Sequence, residues 1–146
     1  MTTKQTEEMP RAYDPTSVED AIYEFWMAKK LFTPQPDPDK KPFVMIMPPP
    51  NVTGNLHLGH ALTCFMEDIL VRWRRMMGDA ALWLPGKDHA GIATQVVVER
   101  QLAKEGTSRH ELGRSKFLDR MWQWVTQNGH TIDKQLKRMG ASCDWS

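Results

Sequence analysis

Cysteine is scarce in this chain: only Cys64 and Cys143 occur in 146 residues. They stand far apart and form no CxxC, so neither a disulfide framework nor a cysteine-based zinc site is supported, and reduced thiols are expected. Charge of one sign is lacking too. Nineteen Lys and Arg against 18 Asp and Glu leave a formal net charge of +1, too little to hold nucleic acid by bulk charge. Any RNA contact then comes from local patches or from parts outside this chain. No apolar run exceeds about five residues, which excludes a membrane-spanning helix. The stretch Met1 to Asp14 carries acids and no apolar core, so no signal or transit peptide is expected and a cytoplasmic location is. What remains is 40% hydrophobic and 25% charged, the composition of an ordinary soluble globular domain, which rules out disorder and collagen.

Proline and glycine are each missing from one part of the chain. All ten prolines lie at or before Pro85 and all nine glycines at or after Gly54, so the back half reads as helices with glycine stops. Residues 17–32 open with Ser17 and Asp20, a variant capping box, and place Ile22, Phe25 and Trp26 on one face. This predicts a helix that docks on the domain. Pro34, Pro36, Pro38 and Pro42 then break the pattern. Residues 1–42 are accordingly an N-terminal helix and linker, and 43–146 the main domain.

Phe43 to Met47 is apolar without alternation, as expected of a strand covered on both faces in a parallel sheet. From Leu58, the positions Leu58, Leu62, Phe65, Met66, Ile69, Trp73 and Met76 recur at the helical period, and Gly78 follows as a stop. Arg72, Arg74 and Arg75 in the last turn read as a solvated helix end. Ala80 to Leu84 is a second short strand. A third helix is expected from Ile92 to Glu105. Ser108 and Glu111 form a capping box for a fourth, ending at Gly129, and a last helix carries Ile132, Leu136 and Met139. Trp73, Trp83, Trp122, Trp124, Met66 and Met76 fall at packing positions.

Strand, loop, helix and strand make a βαβ unit with parallel strands. The loops PPPNVTGNLHLGH and PGKDHAG both follow carboxyl ends of strands, where open α/β sheets bind ligands, so their polar residues should converge. Gly54 to Ala61 has the glycine spacing of a P-loop, but His60 and Ala61 replace its lysine and hydroxyl residue, which excludes a Walker A site. A glycine-bearing loop opening a helix remains, and such helix starts favour phosphate. His57 and His60 project to one side of it. They can donate to phosphate oxygens, or they can merely cap the helix. Gly59 between them lets a flat ring approach the backbone. The spacing of His57, His60 and His89 lacks the HExxH pattern, so no protein-bound metal is expected. Asp88 is a ligand candidate by its place at the sheet's edge and a turn former or helix cap by spacing alone.

Residues 48–62 and the segment PGKDHAGIATQ, residues 85–95, resemble the valyl-tRNA synthetases, a branch of the class I aminoacyl-tRNA synthetases. The HIGH signature of that class is matched by His57, Leu58, Gly59 and His60, within a region running from Pro50, Asn51, Val52, Thr53, Gly54, Asn55 and Leu56. HxGH alone marks only the class; PPPNVTG and DHAGIATQ narrow it to valine. Lys87 departs from the residue usual before the aspartate. The resemblance implies the first half of a Rossmann-like α/β nucleotide-binding fold. It further implies ATP-dependent activation of valine, with Mg2+ accompanying the phosphates, and transfer to tRNA(Val) by an enzyme that is monomeric at full length. By the same resemblance, His57 and His60 are catalytic. ATP contacts also fall to Gly59 and Thr53, and Pro49, Asn51 and Asp88 hold valine, Asp88 through its ammonium group. No KMSKS sequence, editing insertion or anticodon-binding region occurs, so the resemblance implies an N-terminal piece of a longer ligase. The other reading is a stand-alone nucleotide-binding or regulatory module without catalysis.

Overall fold

Two apolar pentads, β1 (Pro42–Ile46) and β2 (Ala80–Leu84), pair as parallel strands in the computed structural model, which describes residues 11–146. The register sets Val44 against Leu82 and Ile46 against Leu84. Further bonds extend the ladder: Ala80 N–H donates to Lys41 at 2.9 Å and Met47 N–H to Leu84 at 2.9 Å. Helix α2 (Leu58–Met76) connects the strands, so the expected βαβ unit is present. Residues 1–10, which carry most of the acidic N-terminal stretch, lie outside the described residues.

Strand β1 departs from expectation. It is covered on one face only: Phe43 and Met45 pack on the core and Met47 is buried, while Val44 and Ile46 are 59% and 69% exposed. In β2 the inward residues Ala81 and Trp83 are fully enclosed. Met47, Val52, Cys64, Val71, Trp83, Ile132 and Leu136 form the centre of the core.

The apolar stripe of α2 identified the helix but not its buried side. Leu58, Leu62, Phe65, Met66, Ile69, Trp73 and Met76 are all exposed, and the buried residues are Cys64, Asp68 and Val71. At 100° per residue these three lie on the opposite side of the helix from the stripe. Of the aromatic and methionine positions read as packing, Trp83 is buried and Trp124 half-buried, whereas Trp73, Trp122, Met66 and Met76 face outward.

The arginine run is no solvated helix end. Arg72 Nε donates to Asp68 at 2.8 Å and its Nη2 to the Gly140 carbonyl at 2.7 Å. Arg75 donates to the Ser142 hydroxyl and carbonyl at 2.5 and 2.8 Å. Arg74 pairs with Asp79 and lies 5.3 Å from the Phe43 ring centre. The buried Asp68 carboxylate also accepts from the Ser142 hydroxyl and backbone N–H. This network pins residues 141–146 beside β2, where Asp144 N–H donates to Trp83 at 2.9 Å. Cys64 and Cys143 are buried and unlinked, and burial pushes the Cys64 thiol up to about 11.

Helix α1 spans Glu19–Ala28, shorter than expected, and the Ser17 capping box does not form. Instead Asp14 caps a single turn at Pro15–Ser17. Its docking residues are Tyr23 and Trp26, packed with Phe32, while Ile22 and Phe25 are exposed. Tyr23 donates to the Ala141 carbonyl at 2.8 Å and accepts from the Trp145 indole at 2.8 Å, and burial pushes its phenol up to about 12.

Helix α3 (Gly91–Lys104) lies where expected. The Ser108/Glu111 box forms, but it caps only the one-turn α4 (Arg109–Leu112), because Gly113 turns the chain at φ 75°. Helix α5 then runs unbroken through Arg114–Arg138. Gly129 does not end it. That glycine sits mid-helix on the buried face, where an added Cβ would lie 3.7 Å from the Lys87 side chain.

Candidate functional site

Beyond the strands, the two loops stay paired. Asp88 N–H donates to the Pro50 carbonyl at 2.9 Å and Val52 N–H to the Asp88 carbonyl at 3.0 Å, a parallel bridge between Asn51 and Asp88. Gly86 lies against Pro49, with an added Cβ 3.5 Å from the proline's own. The expected convergence of PPPNVTGNLHLGH with PGKDHAG is therefore a backbone pairing that continues the β1–β2 ladder.

His57 is the N-cap of α2, and its Nδ1 accepts from Gly59 N–H at 3.1 Å. His60 Nδ1 accepts from His57 N–H at 3.2 Å, which closes a capping box made of two imidazoles. A ring nitrogen that accepts an N–H carries no proton, so in both neutral rings the proton sits on Nε2. Capping and donating are thus compatible roles: the cap consumes Nδ1 and leaves each Nε2–H as a donor of fixed identity. The ring centres are 3.9 Å apart. Partial burial, then the neighbouring His57, holds the His60 imidazole below the ordinary histidine value.

Within the protein, the ring that lies against Gly59 is that of His57. A Cβ at Gly59 would fall 3.0 Å from His57 Cε1 and 3.1 Å from Nδ1. Glycine at this position therefore protects the cap.

A cleft of about 600 Å³ opens before this helix start, walled by Pro49, Pro50, Asn51, Thr53, Gly54, Asn55, Leu56, His57 and His60. Val52 is buried beneath it and Leu58 is 85% exposed. Gly59 and Asp88 are not among the walls. Asp88 is exposed, and its Oδ1 accepts from Ala90 N–H at 2.8 Å. Ala90 lies in the left-handed region at φ 47°, a conformation costing a non-glycine residue about 1 kcal/mol. The turn made by Asp88 and the bond from Thr94 N–H to Ala90 at 2.8 Å hold it there.

Sequence reasoning missed part of the site. Thr63, Cys64 and Leu136 also wall the cleft; Thr63 lies one turn beyond His60 and could have been found from helical spacing. Three side chains of α5 reach the loops. Trp124 Nε1 donates to the Val52 carbonyl at 2.9 Å, Gln135 Oε1 accepts from Leu56 N–H at 3.0 Å, and Asp133 pairs with Lys87 at 2.7 Å. These contacts join residues far apart in the chain and have no local signal.

His89 packs edge-on against Trp122, ring centres 5.7 Å apart. Among the described residues no group of three or more His, Cys, Asp or Glu is placed to hold a metal, and no helix is long and apolar enough to cross a membrane. A second groove of similar size, about 590 Å³, lies between α1 and the end of α5. Its two arginines are already paired, Arg138 with Asp20 at 2.8 Å and Arg72 with Asp68, and it holds none of the loop residues, so the first cleft is the stronger candidate.

The family model of tRNA synthetases class I (I, L, M and V) matches residues 21–146. Among curated relatives, a valine-tRNA ligase of Dehalococcoides mccartyi is 63% identical over 138 residues, 94% of this chain and 16% of the relative. A valine-tRNA ligase of Thermus thermophilus is 62% identical over 139 residues, 95% of this chain and 16% of its own length. The chain thus spans about one sixth of the curated relatives it matches. Among solved structures, the agnB2 LeuRS of Agrobacterium radiobacter K84, in a ternary complex with tRNA and LeuAMS, superposes with a TM-score of 0.73. Sequence identity there is 22%, over 92% of this chain and 15% of that one. That likeness concerns the fold, the first part of a Rossmann-like α/β domain.

Proposed function

This chain belongs to the class I tRNA synthetases (I, L, M and V), and from that premise we propose that it is the HIGH-bearing segment of a valine-tRNA ligase. The observation that carries the reading is the Asn51–Asp88 bridge, which sets the HIGH loop and the DHAG loop side by side at the carboxyl ends of parallel strands. The choice of valine is supported by relatives at 62% and 63% identity that bear that name. Residues 43–146 then form the first half of the catalytic domain, and α1 with its linker docks on it.

In this reading the valine carboxylate oxygen attacks the α-phosphorus of ATP, the bond to the bridging oxygen of pyrophosphate breaks, and valyl-adenylate results. The aminoacyl group then passes to the 3′ end of tRNA(Val). Charge moves along the phosphates in the first step, so donors fixed in advance lower its barrier more than any nucleophile on the protein would. His57 and His60 offer such donors through Nε2. Gly59 and Thr53 adjoin the nucleotide, and Pro49 and Asn51 shape the amino-acid end of the cleft. Asp88 faces the ammonium group. Mg2+ enters as part of the nucleotide substrate. The full-length enzyme works as a cytoplasmic monomer.

The test is valine-dependent exchange of pyrophosphate into ATP by the full-length enzyme. Exchange supported by valine and lost on replacing His57 or His60 by Ala is the expected result. Exchange supported by isoleucine in place of valine would overturn the amino-acid assignment, and none with any amino acid would overturn the ligase reading.

A further inference from the structure

Two loops carry the site, yet both are anchored from one helix. At 100° per residue, the buried stripe of α5, Gly129, Ile132 and Leu136, has Trp124 and Gln135 along one flank and Asp133 along the other. The first flank holds the HIGH loop, through Trp124 to the Val52 carbonyl and Gln135 to Leu56 N–H. The second flank holds the DHAG loop through the Asp133–Lys87 pair.

Trp124 and Gln135 are eleven residues apart, about three turns of α5, and hold the two ends of the segment 52–56, which turns at Val52 and Thr53. Both backbone groups of Val52 are held, its N–H by the Asp88 carbonyl and its C=O by the Trp124 indole N–H. Leu56, whose N–H is tied to Gln135, immediately precedes the capping His57.

We propose that α5 is a brace that sets the two loops relative to each other, with Gln135 and Trp124 as positioning residues for the imidazole pair. The proposal rests on the ligase reading for its kinetic consequence but not for its geometry. Gln135 touches no reacting atom. It fixes where the helix start, and hence each Nε2–H, lies, and small displacements of such donors are costly to rate.

The test uses the full-length enzyme with Gln135→Met, which keeps bulk but cannot accept, Gln135→Glu, which still accepts, and Trp124→Phe, which keeps the ring but cannot donate. Two readouts are taken: valine-dependent pyrophosphate exchange, and the rate at which His57 and His60 are carbethoxylated, read by mass spectrometry. The expected result is a kcat about tenfold lower in the Met and Phe variants with KM for valine little changed. Histidine modification should be severalfold faster and melting temperature nearly unchanged, with the Glu variant close to wild type. Wild-type kcat in the Met variant, or a Glu variant as slow as Met, would overturn the proposal. If Gln135→Met does not fold, Trp124→Phe decides by the same criteria. If the wild type itself shows no valine-dependent exchange, the ligase reading fails, and the modification rate alone decides on the brace: unchanged in the variants, it is wrong.

Discussion

His57 and His60 close one helix end reciprocally, each through Nδ1, so the same two bonds that cap α2 also fix which nitrogen of each ring bears the proton. This arrangement requires the neutral imidazole, and the His60 pKa, lowered first by burial and then by His57, agrees with that.

A pH dependence follows for His60. Its ordinary value is 6.5 and its folded value is lower, so below pH 6.5 the unfolded chain binds the proton more readily than the folded one. The contribution of the neutral cap is full above 6.5 and is lost as pH falls from there through the folded value. Solvent screening at this partly exposed ring keeps the effect under about 1 kcal/mol. Melting curves at about pH 7.5 and about pH 5 should differ by more in the wild type than in His60→Gln, whose amide does not titrate. An equal drop in both proteins would place the sensitivity elsewhere.

Gly59→Ala separates stability from activity. Alanine in place of glycine inside a helix gains up to about 1 kcal/mol, while loss of an N-cap costs about the same. The new methyl group, 3.0 Å from His57 Cε1, makes the ring give by a few tenths of an ångström, which stretches its 3.1 Å cap bond and shifts its Nε2–H. The expected result is a melting temperature within a few degrees of wild type, roughly what such a balance allows, with pyrophosphate exchange down at least about tenfold. Undiminished exchange would show that the ring position does not matter.

The βαβ unit and both loops were legible in the sequence because their signals are local: apolar pentads, three prolines in a row, a helical period from Leu58. The buried side of α2 was not. Its apolar stripe faces outward, and the face that packs is held by Asp68, Arg72 and Arg75, whose partners Gly140 and Ser142 lie about seventy residues on. Gly129 looked like a stop because a glycine's packing role depends on its neighbour, here the Lys87 side chain. The histidines were identified, but their use as mutual caps depends on ring geometry that spacing does not carry.

The Asp68 network should dominate the stability of the C-terminal strap. Asp68→Ala removes the carboxylate that Arg72 and Ser142 share, which leaves the buried Ser142 donors without a partner and costs about 2 to 3 kcal/mol. Ser142→Ala leaves Asp68 its bonds to Arg72 and the Ser142 N–H and leaves Arg75 the Ser142 carbonyl in place of its two acceptors, and should cost about 1 kcal/mol. Urea unfolding monitored by tryptophan fluorescence measures both. Equal effects would mean that the carboxylate is not the hub.

Self-association of the isolated 146-residue chain is expected through α2. On α5 and just past its end, Trp122 is exposed whereas Trp124, Val125 and Met139 are half-buried, which leaves no contiguous apolar patch there. The α2 stripe exposes Leu62, Phe65, Met66, Ile69 and Trp73 together, a contiguous apolar surface of the kind that seeks a partner. Light scattering at tens of micromolar, about the range where such association shows, should report oligomers that Leu62→Glu with Ile69→Glu reduces to monomers. Oligomers that persist in this double variant would point to another surface.

The role of Asp88 turns on charge. Its Oδ1 accepts from Ala90 N–H at 2.8 Å, a bond that an asparagine oxygen makes nearly as well, so Asp88→Asn should leave the turn and the left-handed Ala90 in place. A carboxylate facing an ammonium group is different: the bond is charge-assisted and weakens substantially when the charge is removed. In the full-length enzyme, Asp88→Asn should raise KM for valine in the exchange reaction by at least about tenfold, or 1.4 kcal/mol. KM for ATP and the melting temperature should change little. Asp88→Ala should lose the turn as well and destabilise by about 1 kcal/mol. If Asn leaves valine use untouched while Ala destabilises, Asp88 serves only to hold Ala90, and the ammonium group must be met by another residue.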